Sequence, residues 1–565
     1  MPDEWSITDG YFDVAGTWHE TSAPTRAALR AAMGTPEDGP PVWFIPAGTS
    51  PSLWSPCRLV LEDGQEIASI NSLPADLPIG YHDLVPIDGG PVTRLIVHPT
   101  SCPEIPSAWG VAVQTYSLWS EHSWGIGDLG DLATLAGAVR AAGGAAVLVS
   151  PLHQPAPSWP QLDSPYYPSS RRARNPLLLA MPDPCPDDLH CDPRQLIDRD
   201  AVWAAKRTML AAAYDGAEIG GMAWATADLP SDAPWTVALW NALCEEYGGD
   251  WRDWPEPWRR FDPRALSDRL DRDTDFSRRA RFHHWCQGLI VYQLADVAAV
   301  GVDIIGDLAV GFAPDGADAW EYQDLLALDV RIGAPPDPFS ADGQEWGIPP
   351  FVPWRLRQAR FQPFIDTIRA AFAGVQGLRI DHVMGLFRQF WVPAGRQPAD
   401  GAYVEFPAEE LLAIICLEAT RAGAFVVGED LGTVEPRVRE RLAECKIAGT
   451  RVFWFEEDPP STWPAACLAT VTTHDLPTIA GVLSGADGDD DQRERLADVA
   501  LAVSPAAVIA LMHEALLAAP SRLRLLAADD LCAATERPNR PGTVVGPNWR
   551  RRLPFPVGKI PMPSP

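Results

Sequence analysis

Four acidic residues stand where short apolar runs of the sequence end. They are Asp307, Asp381, Glu429 and Asp475. If these runs are parallel strands of one barrel, their carboxyl ends lie at the same mouth and the four side chains converge. Two such carboxylates suit glycoside chemistry, in which one attacks the anomeric carbon and the other moves a proton to and from the glycosidic oxygen. A single Asp after a strand could equally cap the next helix, but four at successive strand ends favour a catalytic site.

Basic and imidazole side chains flank these acids. Arg379 lies two positions before Asp381, so both side chains point to the same side of a strand. A guanidinium beside a carboxylate favours the charged form that a nucleophile needs. His382 and His474 adjoin Asp381 and Asp475, where imidazoles can hydrogen-bond to sugar hydroxyls without adding much charge. Ordinary loop packing is the alternative for each histidine.

The strands that would position these residues can be read from hydrophobic periodicity. Eight short apolar runs occur from residue 111 onward, each followed by a helix-like stretch, which predicts buried parallel strands in βα units. Eight units favour an α/β fold of the closed (β/α)₈ TIM-barrel type. A doubly wound open sheet is the alternative, although no GxGxxG follows the first run. The runs are 111–118, 145–152, 302–308, 377–382, 424–430, 450–455, 469–475 and 522–531.

Other segments lie outside this pattern. Residues 1–105 contain short β-like runs between proline-rich turns, which predicts a small β-rich N-terminal domain ahead of a catalytic barrel at 106–565. The gap between the second and third runs is too long for a bare loop, so we expect an inserted helical subdomain at about 155–300. A second insertion at about 329–354 is rich in Pro and Gly, and we expect an irregular lid over the barrel mouth.

Composition narrows the range of partners. The formal net charge is −30, which argues against nucleic acid and against an anionic membrane surface, whereas a neutral sugar polymer is unaffected by that charge. The 23 Trp could provide flat apolar faces for pyranose rings, although core packing is the simpler use for most of them.

The ten Cys form no CxxC pair, so no metal site is expected. The N-terminal residues lack the pattern of a signal peptide, which predicts a cytoplasmic protein with reduced thiols.

Several segments together resemble one enzyme family. GLRIDHVMGLFRQFWVP, VVGEDLGTVEPRV and VTTHDLPTIAG are similar to signature segments of the α-amylase clan. WGVAVQTYSLWSEHSWGIGDLGDL, SPYYPSSRRARNPL, GDLAVGFAPDGADAW, GAPPDPFSADGQEWGIPP and ERPNRPGTVVGPNWRRRL extend the resemblance, in order, over about 109–554. The whole set resembles glycoside hydrolase family 77, the amylomaltases or 4-α-glucanotransferases. In one departure, Leu476 and Pro477 follow the His–Asp pair where many members have Asn.

The resemblance implies a role for each matching residue. Asp381 matches the catalytic nucleophile, Glu429 the general acid/base and Asp475 the carboxylate that stabilises the transition state. Eight further residues match three kinds of substrate contact. The residues around the reacting sugar are Asp307, Arg379, His382 and His474; the stacking aromatics are Tyr166 and Trp346; and the polar contacts are Gln344 and Asn539.

The implied activity is transfer of an α-1,4-glucan segment to the 4-OH of an acceptor glucan or glucose, with retention of configuration and without metal or organic cofactor. The substrate partner is a maltooligosaccharide or α-glucan. Two alternatives stay open, namely an α-1,4-glucan hydrolase that uses the same acids and a catalytically silent glucan-binding protein. The sequence leaves the oligomeric state open.

Overall fold

The architecture is described from a computed structural model. It describes residues 2–13, 16–216, 233–336, 340–432, 434–500, 504–543 and 546–563. The chain forms two compact units. The first consists of Met1–Glu104, Tyr322–Ala373 and His382–Ile447, and the second of Ile105–Glu321, Gly374–Asp381 and Ala448–Pro565. Because the first unit contains more than the N-terminal residues, the boundary at 105 stays a prediction.

An eight-stranded parallel sheet confirms the predicted strand pattern. Each of the eight apolar runs supplies one strand. In chain order, the strands are Ala108–Val113, Ala146–Val149, Asp303–Leu308, Gly377–Ile380, Phe425–Gly428, Gly449–Val452, Cys467–Thr470 and Leu523–Ala527. Seven of them belong to the second unit, and Phe425–Gly428 belongs to the first.

Pairing at the beginning of the chain decides between a barrel and an open sheet. The first strand, Ala108–Val113, pairs in parallel with the second and also with the eighth, for example through Leu525 opposite Gly110. The other neighbours within the second unit are likewise consecutive in the chain. A pairing of first with last strand, with consecutive neighbours elsewhere, is the order of a (β/α)₈ barrel and not of a doubly wound sheet. The predicted fold class is therefore confirmed.

The strands end earlier than the apolar runs suggested. The fourth strand ends at Ile380 and the fifth at Gly428, so Asp381 and Glu429 are the first residues after their strands. The seventh ends at Thr470, five residues before Asp475, whereas Asp307 lies within the third strand. Asp381 and Glu429 thus lie directly after the carboxyl ends of their strands, the end at which barrel enzymes have their active sites.

Helices surround these strands in the second unit. Their buried faces form a hydrophobic core with the first three strands, in which Trp124 and Trp203 are fully buried. The predicted insertion does contain long helices, although residues 217–232 of it lie outside the described part of the chain. The helices of this unit are Leu129–Ala141, Arg199–Tyr214, Trp235–Tyr247, Pro263–Arg272, Thr274–Ala299, Ala317–Glu321, Ile479–Ser484, Asp490–Ala500, Pro505–Leu517 and Ala528–Leu531.

The first unit contains three antiparallel or mixed sheets. The predicted β-rich character of the N-terminal residues is seen in a five-stranded sheet, ordered Val42–Pro46, Thr93–His98, Gly80–Pro86, Ser52–Val60 and Glu66–Ser72. Its inner face buries Leu59, Leu73 and Leu95 completely. A short hairpin pairs Gly10–Phe12 with Trp18–Glu20. The helices of this unit are Ala23–Met33, Pro353–Gln358, Gln362–Phe372, Ala408–Ala422 and Pro436–Glu444.

The segment 329–354 is more regular than expected. Val330–Ala334 and Gln344–Glu345 form two strands of a four-stranded antiparallel sheet with Arg388–Pro393 and Ala402–Glu405. The prediction of an irregular insertion was wrong for these residues, because VRIGA pairs with a distant strand that local composition does not reveal. Residues 337–339 lie outside the described chain.

Membrane-spanning segments were also sought. No helix in the described ranges is both long enough and apolar enough to cross a bilayer.

Candidate active site

A guanidinium bridges two carboxylates on neighbouring strands of the second unit. Asp307 and Arg379 are direct partners in the register of the third and fourth strands. Arg379 donates from Nη1 to both oxygens of Asp307, at 2.7 and 2.8 Å, and from Nη2 to Asp381 Oδ1 at 2.9 Å. The side chains of Asp307 and Arg379 are 4% and 9% exposed and that of Asp381 is 22% exposed, so Asp381 is the most accessible of the three.

The hydroxyl of Tyr166 adds further contacts to this network. It donates to Asp307 Oδ2 at 2.6 Å and lies 3.3 Å from His474 Nδ1. Burial, followed by the negative charge of Asp307, raises the pKa of Tyr166 well above its usual value, so the hydroxyl stays protonated and available as a donor. Burial also raises the pKa of Asp307, and Arg379 opposes that effect. One tyrosine thus connects the third strand with the loop after the seventh.

Three rings pack together beside Asp307. The rings of Tyr166 and His474 stack with centroids 4.7 Å apart and an interplanar angle of 26°. Trp549 contacts both, at 5.3 Å from each centroid. Tyr166 was predicted to stack on a sugar, but in this structure one of its neighbours is the imidazole of His474. The two predicted substrate contacts therefore form one rigid aromatic group.

Asp475 has its own partners in the same unit. Asn539 Nδ2 donates to Asp475 Oδ1 at 2.6 Å, and the backbone N–H of Asn539 donates to the carbonyl of His474 at 3.0 Å. Arg537 donates to the Asp475 carbonyl at 2.7 Å and is itself held by Asp487. The side chain of Asp475 remains 42% exposed, so it is oriented by Asn539 and still open to a ligand.

Glu429 is fixed by backbone groups of the first unit. Its Oε2 accepts from the N–H of His382 at 3.0 Å, and its Oε1 accepts from the N–H of Leu431 at 2.7 Å. His382 adopts a left-handed conformation, with φ 47° and ψ 59°, which is rare for a residue other than Gly, Asn or Asp. The following N–H, that of Val383, donates to the Glu429 carbonyl at 3.0 Å. A strained turn directly after Asp381 thus orients Glu429.

Gln344 and Trp346 form a local pair in the first unit. The indole Nε1 of Trp346 donates to Gln344 Oε1 at 3.0 Å, and its ring meets that of His382 edge to face at 5.2 Å. We expected the indole N–H to donate a hydrogen bond to a sugar, whereas here it donates to Gln344. The amide nitrogen of Gln344 remains as a donor, and both side chains are half-buried.

The predicted site residues therefore fall into two groups, one in each unit. The second unit brings together Tyr166, Asp307, Arg379, Asp381, His474, Asp475 and Asn539, and the first brings together Gln344, Trp346, His382 and Glu429. Sequence reasoning missed Trp549 and Arg537. Both lie in the segment ERPNRPGTVVGPNWRRRL, but only the tertiary contacts single them out. In the described ranges, no group of three His, Cys, Asp or Glu side chains could hold a metal ion.

A (β/α)₈ barrel with carboxylates at or just after its third, fourth and fifth strands has the fold class of many enzymes and the residue type that glycoside chemistry uses. Comparison with known proteins gives the family. The model of glycoside hydrolase family 77, described as 4-α-glucanotransferase, matches residues 113–557. The chain therefore belongs to family 77, and it is an enzyme of the glucan-transferring type.

Individual relatives agree with this assignment. The chain is 40% identical over 569 residues to a 4-α-glucanotransferase of Mycobacterium tuberculosis, covering 86% of this chain and 78% of the relative. It is 34% identical to that of Haemophilus influenzae, covering 74% and 67%. The crystal structure of amylomaltase from Corynebacterium glutamicum superposes with a TM-score of 0.80 at 27% identity, covering 97% of this chain and 94% of that one.

The Tyr166 contacts lead to a first prediction. Replacing Tyr166 with Phe keeps the ring stack on His474 and removes the hydroxyl that donates to buried Asp307. Because a hydrogen bond to a charged group contributes about 1.5–3 kcal/mol, we expect kcat/KM to fall about 10- to 100-fold and the melting temperature to fall as well, with kcat/KM measured where the variant is folded. The half-exposed Tyr292 provides a matched control, since Tyr292→Phe should leave kcat/KM unchanged. Equal kcat/KM for both variants would contradict the positioning role.

Proposed function

We propose that this enzyme moves α-1,4-glucan segments to the 4-OH of an acceptor glucan or glucose by a retaining double displacement. Asp381 attacks the anomeric carbon of the donor, and the glycosidic bond breaks as Glu429 protonates the departing oxygen. In the second step Glu429 takes the proton from the acceptor 4-OH, whose oxygen displaces Asp381. Two inversions at one carbon give net retention.

The contact between Arg379 and Asp381 is the observation that carries this proposal. Arg379 Nη2 donates to Asp381 Oδ1 at 2.9 Å, and this charge-assisted bond orients the carboxylate that would attack carbon. Arg379 uses its other terminal nitrogen on Asp307, so the guanidinium cannot turn away without depriving that buried acid of its cationic partner. Asp381 is thereby held in one orientation, and its side chain stays 22% exposed.

The proton carrier has a different environment. Glu429 accepts a backbone N–H on each carboxylate oxygen, from His382 at 3.0 Å and from Leu431 at 2.7 Å. These backbone donors orient its carboxyl group. In this proposal, Asp475 with Asn539 faces the positive charge that develops on the sugar ring.

Transfer rather than hydrolysis requires that water be kept from the glucosyl-enzyme. We assign this role to the lid segment 329–354, with Trp346 and Gln344 as acceptor contacts. The names of the relatives favour transfer over the hydrolase and silent-binder alternatives. A maltooligosaccharide is the proposed substrate. The cytoplasm is the proposed location, and ten free cysteines agree with a reducing compartment.

The nucleophile is tested by Asp381→Asn, which should abolish chain-length redistribution from maltotriose because an amide cannot form the glucosyl ester. Asp303→Asn is the matched control, since Asp303 begins the third barrel strand and so lies at the end opposite Asp307. The control should retain normal turnover. A folded Asp381→Asn variant with normal product formation would remove Asp381 from this role.

A second test separates the two chemical steps at Glu429. Glu429→Gln should lower turnover of maltotriose by about 10²–10⁴-fold. With a glucosyl fluoride donor the first step should recover in part, since fluoride leaves without protonation. Glu435→Gln changes a neighbouring glutamate that pairs with Arg388 and should have little effect. An equally slow first step with both donors would assign Glu429 another function.

The lid assignment is tested by the ratio of free glucose to transfer products. Trp346→Ala should raise this ratio while the melting temperature stays nearly constant, because water gains access to the glucosyl-enzyme. Trp346→Phe keeps a ring beside His382 but loses the bond to Gln344, so its ratio should stay near that of the unmodified enzyme. A lower melting temperature with both reactions reduced together would instead make Trp346 an anchor of the segment.

A further inference from the structure

The N-terminal hairpin has two faces with different surroundings. Its strands pair Gly10 with Glu20, Tyr11 with His19 and Phe12 with Trp18. Because paired residues project to the same side of a sheet and successive residues alternate, Tyr11 and His19 occupy one face. Gly10, Phe12, Trp18 and Glu20 occupy the other. We call this second set the aromatic face.

The Tyr11 side attaches the hairpin to the rest of the first unit. The Tyr11 ring stacks on His19 at 5.1 Å and meets the rings of Phe390 and Tyr403 edge to face at 5.7 and 5.5 Å. Phe390 and Tyr403 are cross-strand partners in the four-stranded sheet. The hairpin is therefore seated on a folded support, and the aromatic face is turned away from that support.

The aromatic face is exposed and yet ordered. Phe12 is 65% and Trp18 is 48% exposed, and their ring centroids are 4.9 Å apart. The Trp18 indole lies directly over Gly10, where a Cβ atom would come within 2.6 Å of the ring. Any larger residue at position 10 would collide with the indole, so glycine allows this contact. Paired exposed aromatics of this kind on a folded surface mark a ligand site more often than solitary ones do.

We propose that the aromatic face is a second glucan-binding site, separate from the reacting carboxylates. The proposal rests on α-glucan being the substrate of this enzyme. An α-glucan is uncharged, so the net charge of −30 does not repel it, and each of its rings has an apolar side that can stack on an indole. Glu20, exposed and two residues from Trp18, supplies acceptor oxygens for sugar hydroxyls.

The register of the four-stranded sheet places the hairpin and Gln344 on opposite faces of that sheet. Glu345 and Phe390 are both partners of Gly333, so they project from the face on which the hairpin sits. Gln344, one position earlier, projects from the opposite face. A glucan on the aromatic face is thus not in the acceptor position proposed for Gln344, and short chains have no means of using both places.

The length of the glucan substrate should therefore reveal whether the second site is used. A long glucan held at the aromatic face keeps its remaining segments at high local concentration around the enzyme, whereas maltotriose gains nothing from a second site. The preformed contact of Trp18 with Gly10 limits the entropy lost on binding. The site should lower KM for long donors without changing the turnover of short ones.

Binding is measured by affinity electrophoresis in gels containing glycogen or amylose, in the Asp381→Asn background so that the glucan is not consumed. Trp18→Ala should weaken retention about tenfold, and Trp18→Phe should retain most of it. Trp54→Ala is the matched control, because Trp54 is a fully exposed tryptophan of the same unit for which no ring partner is found among the described residues. In the active enzyme, Trp18→Ala should raise KM for amylose and leave kcat/KM for maltotriose unchanged.

Three outcomes would overturn the proposal. Equal retention of the Trp18→Ala and unsubstituted proteins would remove the site, as would an equal loss with Trp54→Ala. If Trp18→Ala changes the molecular mass measured by size exclusion but not the glucan retention, the aromatic face is a contact between copies of this chain. Turnover remaining in the Asp381→Asn background would count only against the nucleophile assignment, so the two failures are distinguishable.

Discussion

The bridge from Asp307 through Arg379 to Asp381 is the interaction on which the site depends. Two carboxylates this close would repel each other and favour protonation of one of them. A single planar guanidinium satisfies both because its terminal nitrogens point along separate directions, at 2.7–2.9 Å from the acid oxygens. Arg379, together with the Tyr166 hydroxyl, offsets the cost of burying Asp307. Lysine, with one point charge, could not hold both acids in these orientations.

The same region stores backbone strain. His382 follows Asp381 in a left-handed conformation that is unfavourable for a residue with a Cβ. The gain is that successive N–H groups of His382 and Val383 reach the side chain and the carbonyl of Glu429. The unfavourable backbone conformation of His382 thus serves to orient Glu429, which is distant in sequence. Such an arrangement is typical of functional sites, where the surrounding structure fixes a conformation the local sequence would avoid.

Neutral hydrogen bonds and aromatic contacts, rather than charge attraction, suit the substrate of this family. A strongly acidic protein has no electrostatic means of collecting a neutral polymer, so shape and stacking must provide selectivity. The rings of Tyr166, His474 and Trp549 form one stack near Asp307, and the indole of Trp346 meets His382. In each case the aromatic side chain is held by a partner before any ligand arrives, which limits the entropy lost on binding.

The sequence by itself determined the barrel strands and proposed the acids. Short, continuous apolar runs are visible in the local sequence and are typical of strands buried on both faces, and so all eight strands could be predicted. The family segments added the expected roles of Asp381, Glu429 and Asp475. Only the tertiary structure decided what depends on residues distant in sequence: the pairing of the first strand with the eighth, the strands within 329–354, and the parts taken by Trp549 and Arg537. Their partners lie tens to hundreds of positions away, and local composition carries no record of such contacts.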